Sequence, residues 1–129
     1  MLDKLLATAC MTVLSAGVAL AQDMAGDPAK GERVFRKCMA CHAVGEDAKT
    51  KTGPILNGVV GRPIASREDF DYSDALQELA AKDGTWTPEE LGHFLEKPRD
   101  FAKGTKMSFA GLRKEEERAD VIAYLATFE

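Results

Sequence analysis

The chain has 129 residues, of which 45% are hydrophobic and 29% charged, and its formal net charge at pH 7 is -4. A chain of this length folds as one domain, and its composition excludes both a disordered polymer and a bundle of membrane helices. Nucleic acid is an unfavourable partner for an acidic chain, because the neutralisation of phosphates requires a basic surface.

The first 21 residues have the pattern of a secretory signal peptide. Lys4 is followed by an apolar stretch over residues 5–20, and Ala19-Leu20-Ala21 has the small residues of a cleavage site. The stretch falls short of the roughly 20 apolar residues that a membrane span needs. We therefore expect cleavage after Ala21 and a mature domain over residues 22–129. An uncleaved N-terminal anchor helix is the alternative.

Two helices in the mature chain are marked by their starting residues. Asp27 and Pro28 have the residue types of an N-cap and a first helical position, and they open a helix that runs towards Cys38. Residues 87–90 read Thr-Pro-Glu-Glu, a capping box with proline at the first helical position. This second helix must end before Pro98, because the residue before a proline disfavours helical geometry.

The remaining chain contains two further helical segments and a long irregular one. We predict a short helix over about 73–82 that ends at Gly84, and a last helix from about residue 114. Residues 45–67 are rich in glycine, proline, asparagine and threonine, and they show no sustained period. Since no segment alternates as a strand would, the sequence predicts an all-α fold of about four to five helices with long loops.

The segment Cys38-Met39-Ala40-Cys41-His42 is the most specific motif in the chain. The C-x-x-C-H spacing indicates one covalently attached haem: the two thiols add across its vinyl groups, and the adjacent histidine ligates the iron. A thioredoxin-like pair would require a βαβ context, and a zinc site would require two more ligands, whereas His93 is the only other histidine. A structural disulfide would leave His42 unexplained.

The second axial position on the iron determines what such a haem does. A methionine there favours electron transfer, whereas an open position favours ligand binding or peroxidase chemistry. Met39 is held between the two cysteines, and Met24 precedes the first helix. Met107, in a glycine-containing loop far along the chain, is the best candidate by elimination. His93 is the alternative ligand.

Several motifs in chain order resemble class I c-type cytochromes, the group of mitochondrial cytochrome c and its soluble bacterial counterparts. They cover nearly all of the mature chain: the pentapeptide, Gly53-Pro54-Ile55-Leu56-Asn57-Gly58, Gly61-Arg62, Tyr72-Ser73-Asp74-Ala75, Trp86, Gly104-Thr105-Lys106-Met107, Phe109-Ala110-Gly111 and Asp120-Val121-Ile122-Ala123-Tyr124-Leu125. The resemblance implies the class I cytochrome c fold, with loops wrapped around one covalently bound haem. It implies a periplasmic one-electron carrier rather than an enzyme.

The same resemblance implies roles for individual residues. His42 and Met107 are the expected axial ligands, and the carbonyl of Pro54 is expected to accept a hydrogen bond from the His42 ring. Three further side chains are expected to hold the haem propionates, namely Arg62, Tyr72 and Trp86. Gly31 and Phe35 on the first helix should pack closely against Val121 and Tyr124 on the last.

The expected partners are membrane redox complexes that dock only transiently. The resemblance suggests a quinol-oxidising cytochrome complex as donor, and a terminal oxidase or a photosynthetic reaction centre as acceptor. A monomer is expected to dock through a ring of cations near the haem: Lys37, Lys49, Lys51, Arg99, Lys103 and Lys106. Two alternatives stay open: an enzyme or gas sensor in which Met107 leaves the iron, and a redox subunit retained by an uncleaved N-terminal helix.

Overall fold

The structure is a computed structural model, and it describes residues 25–129. The predicted signal peptide and its cleavage site lie outside these residues. Five helices are present in the described part: α1 (Pro28–Phe35), α2 (Asp74–Asp83), α3 (Pro88–Glu96), α4 (Pro98–Phe101) and α5 (Glu115–Leu125). Among residues 25–129 the only β-type pairing is an isolated bridge between Pro63 and Thr85, so the all-α prediction is confirmed. None of the described helices is long and apolar enough to cross a membrane.

Helix α1 begins at the predicted residue and stops before the cysteines. The carboxylate of Asp27 accepts a 2.9 Å hydrogen bond from the backbone N–H of Ala29, and Pro28 occupies the first turn. After Phe35 the chain continues as successive turns, and the N–H of Cys38 donates to the Phe35 carbonyl over 2.7 Å. The haem motif therefore lies in the turns that directly follow helix α1, and the helix determines their position.

Helices α1 and α5 cross in close contact at Gly31. A β-carbon on Gly31 would overlap the carbonyl oxygen of Asp120 and would lie 2.7 Å from Cβ of Tyr124. The rings of Phe35 and Tyr124 are 5.5 Å apart, and Val121 is almost fully buried. This crossing confirms the close approach that the sequence predicts for the two helices.

The predicted N-cap of α3 and the predicted glycine at the end of α2 are present, and Ser73 is an N-cap of α2 that was not predicted. The hydroxyl of Ser73 accepts from the backbone N–H of Leu76 over 3.2 Å, and the hydroxyl of Thr87 accepts from the backbone N–H of Glu90 over 3.1 Å. The N–H of Thr87 donates to the carbonyl of Thr85 over 2.9 Å rather than to the Glu90 carboxylate, so only half of the predicted capping box forms. Gly84 ends α2 with a φ of 78°, a conformation that favours glycine. The four-residue helix α4 was not predicted; Pro98, which ends α3, also supplies its first residue.

The long segment over residues 45–67 is irregular, as predicted, and it is joined to the α2–α3 connection. The N–H of Gly61 donates to the carbonyl of Trp86 over 2.7 Å, and the N–H of Trp86 donates to the carbonyl of Arg62 over 2.9 Å. These bonds position Arg62 beside Trp86, which is buried at 6% exposure. Backbone pairing thus brings two predicted site residues together without a sheet.

Candidate haem site

The cysteine pair lies in a tight turn that directs the motif towards the core. The N–H groups of Cys41 and His42 both donate to the carbonyl of Cys38, over 3.1 and 2.9 Å. Both thiols are free and half-buried, and Cys38 packs against the hydrophobic core. Two free thiols one turn apart are the arrangement that attachment to two vinyl groups requires.

Burial raises the pKa of the Cys38 thiol to about 11, and the nearby charge of Lys37 only partly opposes this. Before haem is attached, Cys38 is therefore a thiol rather than a thiolate at neutral pH. The reactive cysteine of a disulfide oxidoreductase has the opposite property, a pKa lowered towards or below 7. The electrostatics of Cys38 thus argue against the thioredoxin-like reading of the motif.

The ring of His42 is fixed by the backbone around it. Its Nδ1 lies 2.7 Å from the carbonyl oxygen of Pro54. A carbonyl can only accept, so Nδ1 carries the proton and the Nε2 lone pair is left for a metal. A β-carbon on Gly53 would lie 2.5 Å from Cε1 of the ring, so glycine is required beside it. Burial is the main cause that lowers the pKa of His42, which favours the neutral imidazole that ligates iron.

The Met107 loop is held at both sides by long cationic side chains. Nζ of Lys106 donates to the carbonyl of Asp71 over 3.0 Å, and Nη2 of Arg99 donates to the carbonyl of Ser108 over 2.6 Å. Met107 itself is half-buried and packs against the same hydrophobic cluster as Cys38 and Tyr72. Cys38, Tyr72 and Met107 thus all pack against the one hydrophobic core of the described chain.

Arg62 has a buried donor without a partner. Its Nη1 donates to the carbonyls of Ile55 and Asn57 over 3.2 and 3.0 Å, but its Nε is buried and unpaired. Burial also lowers the pKa of this guanidinium. Leaving a buried cationic donor unsatisfied is costly, so the site is built for an added anionic group. A haem propionate supplies such a group, and in this respect the residues fit the cofactor that the motif implies.

Three features of the site went unrecognised in the sequence. Gly53 makes room for the His42 ring, and the glycine–proline pair in the motif was its only signal. The side chain of Asn57 pairs reciprocally with the backbone of Gly45, over 3.1 and 2.9 Å, and closes the loop behind the histidine. Arg99 and Lys106, which we expected only at a docking surface, also hold the Met107 loop.

Comparisons with known proteins agree with this geometry. The family model described as Cytochrome c matches residues 28–129. Cytochrome c-550 of Ancylobacter novellus is 56% identical over 101 residues, which cover 78% of this chain and 94% of that protein. The solved structure of cytochrome c2 from Rhodospirillum centenum matches with a TM-score of 0.74 and 45% identity, over 80% of this chain and 98% of the other. The chain therefore belongs to the cytochrome c family, whose members are electron carriers rather than enzymes and hold one covalently bound haem c.

Proposed function

We propose that this chain is a periplasmic one-electron carrier in which His42 and Met107 are the axial ligands of the haem iron. The observation that carries the proposal is the His42 ring, whose Nδ1 is bound to the Pro54 carbonyl at 2.7 Å while Nε2 is left for the metal. When bound, the haem supplies reversible one-electron chemistry. Cys38 and Cys41 would hold it covalently, because both are free thiols in one turn.

The side chains around this pair would set the haem's orientation and polarity. Arg62 would pair a propionate through its unsatisfied Nε. Trp86 is hydrogen-bonded to the Arg62 backbone, and Tyr72 is close enough to influence the guanidinium electrostatically. Tyr72 packs against the core cluster, and its hydroxyl accepts a 3.4 Å hydrogen bond from the N–H of Arg67. Trp86 is fixed against Phe94, with ring centroids 5.1 Å apart. Rigid packing of this kind keeps the geometry similar in both oxidation states, which a fast electron carrier needs.

Docking would use the cations around the motif and the Met107 loop. Lys37 keeps 52% of its side chain exposed although it pairs with Glu117 at 3.3 Å, and Lys106 keeps 57% exposed. The other members of the proposed docking ring are Lys49, Lys51, Arg99 and Lys103, all of them exposed. The fitting partners are membrane redox complexes with acidic surfaces: a quinol-oxidising cytochrome complex as donor, and a terminal oxidase or photosynthetic reaction centre as acceptor.

Export after cleavage at Ala21 would place the carrier in the periplasm. One relative, cytochrome c-554 of Methylosinus trichosporium, is 45% identical over 123 residues and aligns with 95% of this chain. An alignment of that extent reaches into the N-terminal segment, so most of this segment has an aligned counterpart in the relative. N-terminal sequencing of the exported protein tests the cleavage: a first residue of Gln22 supports it, and an intact Met1 contradicts it.

The ligand assignment is tested by the optical spectrum of the exported protein in both oxidation states. We expect the weak long-wavelength band of methionine sulfur on ferric haem in the wild type, and its loss in Met107→Ala. Met39→Leu serves as the matched control, since it removes a different thioether and should keep the band. A wild type that lacks the band and binds carbon monoxide readily would contradict the proposal and favour a ligand-binding role.

A further inference from the structure

Met39 is an exposed thioether in the middle of the haem motif. Among the large hydrophobic side chains of residues 25–129, it is the one that is exposed, with 52% of its surface accessible. It lies between Cys38 and Cys41, so covalent attachment of these two cysteines would fix its backbone. The side chain of Met39 is therefore open to reagents in solution.

Cationic side chains lie next to this thioether. Nζ of Lys51 donates to the carbonyl oxygen of Met39 over 3.1 Å, and Lys37 lies two residues before it. Ala40, which follows Met39, is also exposed. Met39 and Ala40 form a small apolar centre, and Lys37 and Lys51 form its charged rim. This is the composition of a surface that forms specific but short-lived complexes.

We propose that Met39 is an oxidation site within the docking surface, and that its oxidation by a hydroperoxide slows electron transfer to an acidic redox partner. The sulfur lone pair forms a bond to the terminal peroxide oxygen, and the O–O bond breaks. The proton of the transferred hydroxyl passes to the leaving oxygen, so hydrogen peroxide yields the sulfoxide and water. Sulfur loses two electrons, and the peroxide gains them.

The two methionines of the described chain differ in their access to such an oxidant. The side chain of Met107 is half-buried against the core cluster, and ligation to iron would occupy a sulfur lone pair. Met39 has neither protection. Its sulfoxide is polar, so burying it at the apolar centre of an interface costs free energy that the thioether does not. The effect on docking rests on the proposed function, whereas the oxidation itself does not.

The oxidation is tested by peptide mass mapping of the holoprotein after limited treatment with hydrogen peroxide. We expect the peptide that contains Met39 to gain one oxygen atom before the peptide that contains Met107. The Met39→Leu variant should show no gain in the corresponding peptide. Oxidation of Met107 ahead of Met39, or an unmodified Met39, would overturn the proposal.

The consequence for docking is tested with a purified terminal oxidase as the probe. Peroxide treatment should slow oxidation of the reduced wild type by about three- to tenfold, and Met39→Gln should slow it similarly. Met39→Leu should give the same rate before and after treatment. A wild type whose rate does not depend on salt contradicts the proposed docking itself. If the wild-type oxidation rate depends on salt but equals the rate of Met39→Gln, the docking proposal stands and the Met39 inference is contradicted.

Discussion

Two helical glycines show how strongly a single residue depends on its surroundings. Gly31 lies where α1 crosses α5, and a β-carbon there would meet the Asp120 carbonyl and Tyr124. Gly92 lies within α3, and a β-carbon there would meet nothing within 4 Å. Both residues carry the same intrinsic cost of glycine in a helix, so any difference between their variants reports the tertiary environment.

We predict that Gly31→Ala lowers the free energy of unfolding by about 1–3 kcal/mol, because the helices must separate to accept the methyl group. Gly92→Ala should raise it by up to about 1 kcal/mol, because it removes the glycine penalty without a clash. Denaturant unfolding of the ferric holoprotein measures both. Equal effects of the same sign would show that the α1–α5 contact does not require glycine.

At the scale of elements, two carboxyl groups meet where α2 ends and α3 begins. Asp83 is the last residue of α2, and Glu90 lies in the first turn of α3 with its Oε2 buried and unpaired. Burial raises the pKa of Glu90, and the neighbouring carboxyl group of Asp83 adds to the effect. Trp86, which we propose to lie beside a haem propionate, belongs to the same connection.

The raised pKa means that folding favours the protonated form of Glu90. The contribution of Glu90 to stability is therefore fully present below its pKa in the unfolded chain, about 4.5. This contribution is lost as the pH rises through the higher pKa that Glu90 has in the folded protein. Glu90→Gln, which stays neutral, should increase stability at pH 7 relative to the wild type. The gain should disappear below about pH 4.5.

Glu89→Gln is the matched control, because it removes the same charge one residue earlier from an exposed side chain that pairs only loosely with His93, at 3.7 Å. Thermal unfolding of the wild type and both variants between pH 4 and 8 checks the prediction. A pH-independent difference between Glu90→Gln and the wild type would contradict it.

The whole molecule combines a net charge of -4 with cations near its haem motif and the Met107 loop. We therefore predict that association with an acidic partner is directed by the local field rather than by the net charge. Exposed charges are screened beyond about 8–10 Å at physiological salt, so the electrostatic contribution to the association rate should decrease as salt is added.

We predict that Lys103→Glu slows oxidation by a purified terminal oxidase by roughly three- to tenfold at low salt, and that added salt reduces the difference. Lys82→Glu on α2 makes the same change in net charge outside the proposed docking ring and should have a much smaller effect. Stopped-flow oxidation rates at several ionic strengths provide the test. Equal effects of the two variants would mean that net charge, rather than the proposed ring, controls docking.

The local features were predictable from the sequence because their causes lie within a few residues. The caps at Asp27 and Thr87 each bond to N–H groups two or three positions away. The spacing of Cys38, Cys41 and His42 is itself the requirement for haem attachment. Family and fold follow from the ordered motifs, whereas the axial role of Met107 and the cleavage at Ala21 stay predictions.

The tertiary structure decided the features that depend on distant residues. Lys106 reaches a carbonyl 35 positions away, and no local pattern marks a surface lysine as a loop tether. The unpaired Nε of Arg62 and the exposure of Met39 likewise depend on how the loops fold over the core. The physical reason is that hydrogen bonding and burial between remote segments depend on the packed arrangement, whereas caps and covalent motifs depend only on neighbours along the chain.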